Sequence, residues 1–328
     1  MTYLMKENTD FRFLIEQAIK APSGHNTQPW LFKINENSID ILPDKNKRLP
    51  VVDPNDRELF ISLGCATENL CIAARTKGYQ PKINISEDGE INIQLLNTTS
   101  TQTNEETLTY IAKRQANRSV YDGNLLTEKV ITGLSNNIHL EDGINIRLYQ
   151  RNTPEFDQIT DFIVAGNTQQ MQDPAFVEEL KSWMRFNKKH LQETGNGLSY
   201  AVFGAPNLPL FIVKPIMSSY LNPNTQNKGD IKKIQSSSHF VLFTVQSNRV
   251  SEWIQLGRSL QRFLLELTRQ NIAHAHCNQP CEVKELSDQM AHSLNLTDEY
   301  PALLLRIGYA KPVSFSPRES IDKVIITL

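Results

Sequence analysis

Along the first third of the chain, the apolar residues first recur at the spacing of a helix and then at the spacing of strands. Between residues 11 and 21 the apolar positions recur at helical spacing, and Pro22 and Gly24 then supply a stop. Alternation over 30–34 and 38–42, with polar residues between them, predicts the two strands of a hairpin. This region therefore combines helix and sheet.

A long helix and two further strands follow this hairpin. Helical spacing runs from 57 to 77, where Gly78 can adopt the left-handed conformation that ends a helix. Strands are predicted near 82–85 and 90–96. Residues 97–104, NTTSTQTN, are polar and show no periodicity, so we interpret them as a linker. We therefore expect two domains, one before and one after residue 104.

The expected second domain, residues 105–328, also combines helices and strands. The pattern Thr103-x-x-Glu106 is a capping box, which predicts a helix that continues through Arg118. A helix is expected near 128–134, and a long helical stretch over 154–190. The three predicted strands lie at 144–149, 240–245 and 302–308.

An internal repeat relates two of the predicted helices. Residues 63–71, LGCATENLC, align with residues 256–264, LGRSLQRFL, at an offset of 193 that places Gly64 on Gly257. Each copy is preceded by one predicted strand and followed by another. In the second copy the apolar residues follow the spacing of a buried helical stripe. These features predict an α+β protein in which one fold is used twice.

Composition narrows the function classes. The 328 residues are 39% hydrophobic and 21% charged, as in ordinary globular proteins. Thirty-four basic residues balance 36 acidic ones, so charge makes no case for binding nucleic acid or an anionic membrane. We expect no membrane span and no signal peptide, and therefore a cytoplasmic protein. Four cysteines are too few for a disulfide framework.

The loop APSGHNTQPW, residues 21–30, concentrates polar groups between a predicted helix and a predicted strand. Such a loop can hydrogen-bond a planar heterocycle, and an ordinary turn is the alternative. The loop resembles the flavin-edge loop of the FMN-dependent nitroreductase family, in which it touches the flavin held by a partner subunit. The resemblance implies flavin contacts at Pro22, Ser23, Gly24 and Asn26, with Gly24 in place of a small polar residue.

Basic residues match the phosphate-binding positions of the same family. In KRQANR, Arg114 and Arg118 match the basic positions of the family pattern RRSxR, and Gln115 matches a contacting one. At i and i+4, the two arginines would share a helix face and could grip a phosphate. Arg318 falls where the family has a second phosphate contact. A solvated charged face is the alternative for each arginine.

Two further segments resemble family positions that face the flavin ring. Lys233 matches a lysine near the pyrimidine, where a fixed cation would stabilise the negative charge formed on reduction. A solvated lysine is the alternative. Cys277, Asn278 and Gln279 match a loop that offers backbone N–H groups to the flavin.

A metal or thiol protein is another possibility at this last loop. His274 and His276 would share one face of a strand, next to Cys277 and Cys281. Zinc-ligand spacing does not recur elsewhere in the sequence, so we expect no metal site.

The resemblance implies an architecture as well as a site. It is to the Acg-like branch, in which two nitroreductase-like, three-layer α/β/α halves form an intramolecular pseudo-dimer around one FMN. An insertion near 173–210, with Trp183, Arg185 and Phe186, would supply a lid over the flavin.

The implied function is an oxidoreductase without a catalytic side chain. NAD(P)H would reduce the flavin at N5, and a small aromatic acceptor, a nitroaromatic or a quinone, would take the electrons. The alternative is a binding protein that sequesters FMN beneath the lid with little or no turnover. The sequence does not distinguish NADH from NADPH, and it does not indicate an oligomeric state.

Overall fold

The protein forms two compact units, each assembled from separate stretches of the chain. The computed structural model describes residues 2–98, 105–203, 207–209, 211–212, 215 and 221–326. The first unit comprises 1–114, 249–265 and 317–328, and the second comprises 115–248 and 266–316. This division differs from a single boundary near 104, because a late helix and the C-terminal segment pack within the first unit. Most of the predicted linker lies outside the described residues.

Helices and strands are interspersed through the described part of the chain. The strands are β1 (Trp30–Ile34), β2 (Ser38–Pro43), β3 (Tyr79–Ile85), β4 (Ile91–Asn97), β5 (Ile144–Gln150), β6 (Met184–Arg185), β7 (Leu198–Ser199), β8 (His239–Val245), β9 (Ala273–His276), β10 (Tyr300–Gly308) and β11 (Ile325–Ile326). The helices are α1 (Thr2–Ala18), α2 (Arg57–Thr76), α3 (Glu105–Lys113), α4 (Glu128–Asn136), α5 (Pro154–Gln172), α6 (Pro174–Trp183), α7 (Lys188–Thr194), α8 (Pro223–Gln235), α9 (Val250–Arg269), α10 (Gln279–Glu282), α11 (Lys284–Ser293) and α12 (Ile321–Val324). The α+β class is confirmed. No described helix is long and apolar enough to cross a membrane.

The first unit contains a five-stranded sheet in the order β11-β1-β2-β4-β3. The predicted hairpin of β1 and β2 is confirmed, and its alternate residues Trp30, Phe32, Ile39 and Ile41 are fully buried. This two-residue period is what a strand with one buried face requires. Strand β11 adds to β1 in parallel, so the C-terminal segment completes the sheet edge.

Helices α2 and α9 of the first unit cross at two glycines. A Cβ atom added to Gly64 would lie 2.1 Å from the Ile254 carbonyl oxygen, and one added to Gly257 would lie 2.0 Å from the Ile61 carbonyl oxygen. Only glycine permits backbones to approach this closely. The two contacts are reciprocal and relate residues by the 193-residue offset of the sequence repeat, which is the pattern of a two-fold contact.

A buried polar cluster accompanies this crossing. Glu68 is 2% exposed and receives hydrogen bonds from Arg258 at 3.2 Å and Arg262 at 2.8 Å. Desolvation alone would raise the pKa of Glu68, but the hydrogen bond and charge of Arg262 hold it below its usual value. Gln261 donates to Asn69 at 2.7 Å on the same pair of helices. The carboxylate of Glu68 on α2 is therefore buried and paired with two arginines of α9 in the same unit.

The second unit contains a four-stranded antiparallel sheet in the order β5-β8-β10-β9. Every residue of β8 is buried, so this strand lies in the interior of the unit. Helix α5 packs on the sheet, with the rings of Phe156 and Phe240 stacked at a centroid distance of 4.3 Å. The three strands predicted in this region are confirmed. The long helical stretch predicted over 154–190 is divided into α5, α6 and α7 by short breaks.

Candidate functional site

The loop after α1 is strained along its backbone. His25, Asn26 and Gln28 have positive φ angles of 47°, 55° and 56°, a region that residues with a Cβ rarely adopt. Ser23 stabilises the turn by accepting a hydrogen bond from the Gln28 amide at 3.0 Å. Strain of this kind persists only where surrounding contacts enforce it, and it is concentrated at functional sites. Pro22, Ser23 and Gly24 are half-buried at this loop.

The C-terminal segment of the first unit enforces the loop conformation. Arg318 donates to the Asn26 side-chain oxygen at 3.1 Å, and the Asn26 amide group donates to the Pro317 carbonyl at 3.3 Å. The Glu319 amide donates to the Gln28 side-chain oxygen at 3.0 Å. Two of the predicted site residues, Asn26 and Arg318, are therefore in direct contact.

Two arginines from distant parts of the sequence converge on the start of this loop. Arg114 and Arg318 both donate to the Lys20 carbonyl, at 2.9 and 3.2 Å, and Arg318 also donates to the Ala21 carbonyl at 3.0 Å. Arg114 is 5% exposed, and its Nε atom is buried with no hydrogen-bond partner within the described part of the chain. We call Arg114 and Arg318 the arginine pair.

The electrostatics of the arginine pair favour an anion. Burial lowers the pKa of Arg114 to about 10. Burial, and then the charge of Arg114, lower the pKa of Arg318 to about 9. Both side chains stay protonated at neutral pH, so the buried Arg114 and the half-buried Arg318 hold two positive charges at the same carbonyl. A phosphate group would offset this cost and accept a hydrogen bond from the Arg114 Nε atom.

Arg114 and Arg118 do not share a helix, so the prediction of a helix through Arg118 is wrong. Helix α3 ends at Lys113, and the Asn117 amide then donates to the His274 carbonyl at 2.7 Å. This pairing with the edge of β9 draws the backbone out of helical conformation. Arg118 lies in the second unit and is exposed.

Gln115 and a buried arginine organise the chain that follows α3. The side-chain oxygen of Gln115 accepts a hydrogen bond from the Val313 amide at 2.6 Å. Arg306 is 2% exposed, donates to the Ser119 carbonyl at 2.8 Å and lies over the Tyr121 ring at 4.0 Å. Arg306 is an organising residue that the sequence motifs did not indicate. The feature of the sequence that could have indicated Arg306 is a single arginine among the apolar residues of β10.

Lys233 belongs to a polar network that joins three helices of the second unit. Its ammonium group lies 3.1 Å from Asp230, which accepts a hydrogen bond from Asn167 at 2.8 Å. Gln279 donates to the Asn167 side-chain oxygen at 3.0 Å. The structure thus brings together two predicted site residues, Lys233 and Gln279, and pairs the charge of Lys233 with a carboxylate.

The loop at 277–279 is tied to the neighbouring strand β10. The Cys277 amide donates to the Leu304 carbonyl at 2.9 Å, and the Asn278 side-chain oxygen accepts from the Leu304 amide at 3.0 Å. The N–H group of Cys277 is therefore already used. Burial raises the pKa of the Cys277 thiol to about 11, so it is protonated at neutral pH. No described group of His, Cys, Asp and Glu side chains is arranged to hold a metal ion.

The insertion expected to form a lid uses two of its three bulky residues internally. Arg185 is 6% exposed and donates to Asn196 at 2.7 Å, to Thr194 at 3.0 Å and to the Ser182 carbonyl at 2.8 Å. Phe186 is also buried. These side chains hold the insertion together, and a role over a cofactor stays a prediction.

A buried carboxyl group that the sequence analysis missed lies beside the loop. Asp53 is 5% exposed and accepts a hydrogen bond from the Leu59 amide at 3.0 Å, near the start of α2. Burial, and then the charge of Glu58, raise the pKa of Asp53 to about 7. Nothing in the local sequence distinguishes Asp53 from a surface aspartate, because its burial results from tertiary packing.

This shift predicts a stability that depends on pH. The folded-state pKa of Asp53 lies above the unfolded value, so its contribution is complete at low pH and is lost as pH rises through about 7. Relative to Asp53→Asn, the wild type should lose about 3 kcal/mol of unfolding free energy between about pH 5 and about pH 8. Urea unfolding of both proteins across this range measures the difference. If the unfolding free energies of the two proteins changed in parallel with pH, the pKa of Asp53 would not be raised.

Comparison with known proteins agrees with the resemblance. No family model matches the chain. It is 22% identical over 337 residues to Putative NAD(P)H nitroreductase Rv3131 of Mycobacterium tuberculosis, covering 96% of this chain and 90% of that protein. It is 23% identical over 328 residues to Uncharacterized protein Rv3127 of the same organism, covering 94% and 90%.

Solved nitroreductases resemble parts of the structure. The FMN and NADPH-dependent nitroreductase NfnB from sphigopyxis sp. strain HMH has a TM-score of 0.45 at 13% identity, covering 68% of this chain and 98% of that one. The FMN-dependent nitroreductase NfnB from Mycobacterium smegmatis, solved in complex with NADPH, has a TM-score of 0.40 at 10% identity, covering 63% and 89%. The resemblance to nitroreductases is confirmed by the similarity to Rv3131 along nearly the whole chain.

Proposed function

We propose that this chain is an FMN-dependent NAD(P)H oxidoreductase of the nitroreductase type. The observation that carries the proposal is the arginine pair against the strained loop, in which Arg114 is buried, Arg318 is half-buried and the Arg114 Nε atom lacks a hydrogen-bond partner within the described residues. Two adjacent cations and an unused donor fit a phosphate ester. The relative named as an NAD(P)H nitroreductase supports the same activity.

Each residue of the first unit has a distinct role in this proposal. Arg114 and Arg318 hold the FMN phosphate, and their guanidinium groups donate several hydrogen bonds in fixed geometry. Arg318 also holds Asn26, so the phosphate site and the loop form one rigid assembly. Rigid support of a binding group reduces the entropy lost on binding. Pro22, Ser23 and Gly24 present the loop backbone to the flavin edge.

Other predicted flavin-binding residues belong to the second unit. Lys233, held by Asp230, provides a cation for the flavin pyrimidine, and Asn278 and Gln279 offer backbone N–H groups. Gln115 and Cys277 support the adjoining backbone, because their polar groups are bonded to Val313 and Leu304. Arg118 provides an exposed positive charge.

Bound FMN would accept a hydride equivalent from NAD(P)H and return electrons to a nitroaromatic or quinone acceptor. The chain itself binds and orients both reactants and supplies charge, and no side chain forms a covalent bond to either. The reciprocal crossing of α2 and α9 supports a pseudo-dimer of two related halves, as in the Acg-like branch.

Titration of the purified protein with NADPH under anaerobic conditions tests the proposal. We expect one flavin per chain and bleaching of its visible absorbance, with NADH compared in parallel. Free FMN at the same concentration is the control for reduction without protein. Bound flavin that stays oxidised would favour the sequestering protein instead. A protein that binds no FMN would overturn both functions.

A further inference from the structure

A cavity of about 10 Å³ lies against the strained loop within the first unit, with space for about one water molecule. Its lining includes Gly24 of the loop, Asp53 before α2, Glu58 in the first turn of α2, and Lys47 and Ser62. Two carboxyl groups therefore line one water-sized space. The proposed function uses neither of them.

Glu58 contacts the loop at Gly24. A Cβ atom added to Gly24 would lie 3.0 Å from Glu58 Oε2 and 3.3 Å from Leu49 Cδ1, closer than ordinary contacts. The missing side chain at residue 24 thus leaves room for the carboxylate against the loop backbone. Glu58 is half-buried, whereas Asp53 is 5% exposed, so Glu58 is the more accessible of the two carboxyl groups at the cavity.

The charges around Asp53 favour one shared proton. Burial and the charge of Glu58 raise the pKa of Asp53 to about 7, while the charge of Arg57 lowers it. Lys47 lines the same cavity and also binds Glu319. Both carboxyl groups line the same water-sized cavity, and the negative charge of Glu58 opposes ionisation of Asp53.

Arg48 also lies near enough to Asp53 to be affected by its charge. It donates to Asp56 at 2.6 Å, and that hydrogen bond raises the pKa of Arg48. Its charge is thus largely used by Asp56. The carboxyl group of Asp53 is therefore partly protonated near neutral pH.

We propose that Asp53 and Glu58 share one proton and supply it, through the cavity beneath Gly24, to an acceptor reduced at the loop. This inference rests on the proposed function. A quinone becomes a hydroquinone by taking a hydride equivalent, which originates from NAD(P)H, and one proton, which leaves the carboxyl pair. Glu58 then returns a proton from solvent to the pair, and NAD(P)⁺ is the oxidised product.

Two acceptors with different proton demands test the proposal in the flavin-loaded protein. A quinone needs a proton as well as electrons, whereas ferricyanide takes electrons alone. For Asp53→Asn at about pH 7, we expect kcat with the quinone to fall about tenfold or more, which is within the usual range for lost acid catalysis. The rate with ferricyanide should stay within about twofold. Asp88→Asn, an exposed aspartate of the first unit, is the matched control and should leave both rates unchanged.

The outcomes separate this inference from the proposed function. Equal losses with both acceptors, or no loss with either, would overturn the proton-supplying role of Asp53 and leave the oxidoreductase intact. A wild-type protein that reduces neither acceptor would instead overturn the proposed function, and the inference with it.

A direct titration tests the shared proton independently of turnover. The side-chain carboxyl of Asp53 can be followed by carbon NMR as pH is varied, in the wild type and in Glu58→Gln. We expect the pKa of Asp53 to fall in the variant, because the neighbouring charge is gone. An identical titration in both proteins would show that the two groups share no proton. Thermal unfolding of Glu58→Gln at one pH confirms that the comparison is between folded proteins.

Discussion

The double variant Arg114→Met, Arg318→Met is expected to fold and to lose its flavin. Each guanidinium contributes charge-assisted hydrogen bonds to a phosphate, worth roughly 1.5–3 kcal/mol apiece. Losing both should weaken FMN affinity by about 100-fold or more. Methionine keeps the length and apolar stem of arginine, so the buried space stays filled. Flavin content after purification and an FMN binding titration measure the effect.

The flavin-free stability of the double variant shows how much of the role of the two arginines is structural. Two close cations oppose folding, whereas their hydrogen bonds to the Lys20 and Ala21 carbonyls and to Asn26 favour it, so the flavin-free variant should be folded and destabilised by no more than about 3 kcal/mol. Arg12→Met is the matched control, because Arg12 pairs with Asp322 at the surface. This variant should bind FMN as the wild type does. Retention of stoichiometric FMN by the double variant would contradict the phosphate assignment.

Single variants distinguish a phosphate site formed by Arg114 and Arg318 from one formed by Arg114 and Arg118. Arg114→Met alone should weaken binding, since within the described residues the Arg114 guanidinium group makes one hydrogen bond and its Nε donor has no partner. Arg118→Met tests whether the exposed arginine of the second unit also contributes. A larger loss from Arg118 than from Arg114 would favour the family pattern over the pair of Arg114 with Arg318.

Gly64→Ala is expected to destabilise the first unit severely. The new Cβ atom would lie 2.1 Å from the Ile254 carbonyl oxygen, and that atom is backbone, so α2 and α9 must separate. Overpacking at a rigid contact costs roughly 3 kcal/mol and sometimes more. Separation would also disturb the buried Glu68, which is bonded to Arg258 and Arg262. Urea or thermal unfolding measures the loss, and insoluble protein is the extreme outcome.

Gly229→Ala is the matched control for this substitution. Gly229 lies within helix α8, and an added Cβ would meet no atom within 4 Å. The change should stabilise the protein by about 0.5–1 kcal/mol, because alanine favours helix. Equal effects of Gly64→Ala and Gly229→Ala would show that the two helices do not meet at the glycines.

Much of the local structure could be predicted because local patterns determine it. The hairpin of β1 and β2 follows from a two-residue apolar period, and α2 follows from helical spacing that ends at Gly78. Gly78 has the expected positive φ of 79°. The repeat of Gly64 and Gly257 was visible as a spacing, and the structure shows these glycines in contact.

The end of α3 shows where local pattern is insufficient. Helical spacing continues past Lys113, but the Asn117 amide bonds to the carbonyl of His274 in β9. The Asn117 amide bonds to a distant strand instead of continuing the hydrogen bonds of the helix. The residues on either side of position 117 do not include that strand, so the local sequence cannot indicate this bond. The candidate phosphate site changed with it, because Arg114 meets Arg318 instead of sharing a helix face with Arg118.

The sequence by itself therefore determined the helices and strands with strong periodicity, the α+β class and the residues of the strained loop. The tertiary structure decided which charged groups are buried together: the pairing of Arg114 with Arg318, the raised pKa of Asp53 and the internal use of Arg185. Periodicity records which face of an element is apolar. Burial of a charge depends on what distant segments pack over it, and contacts between distant segments leave no local pattern.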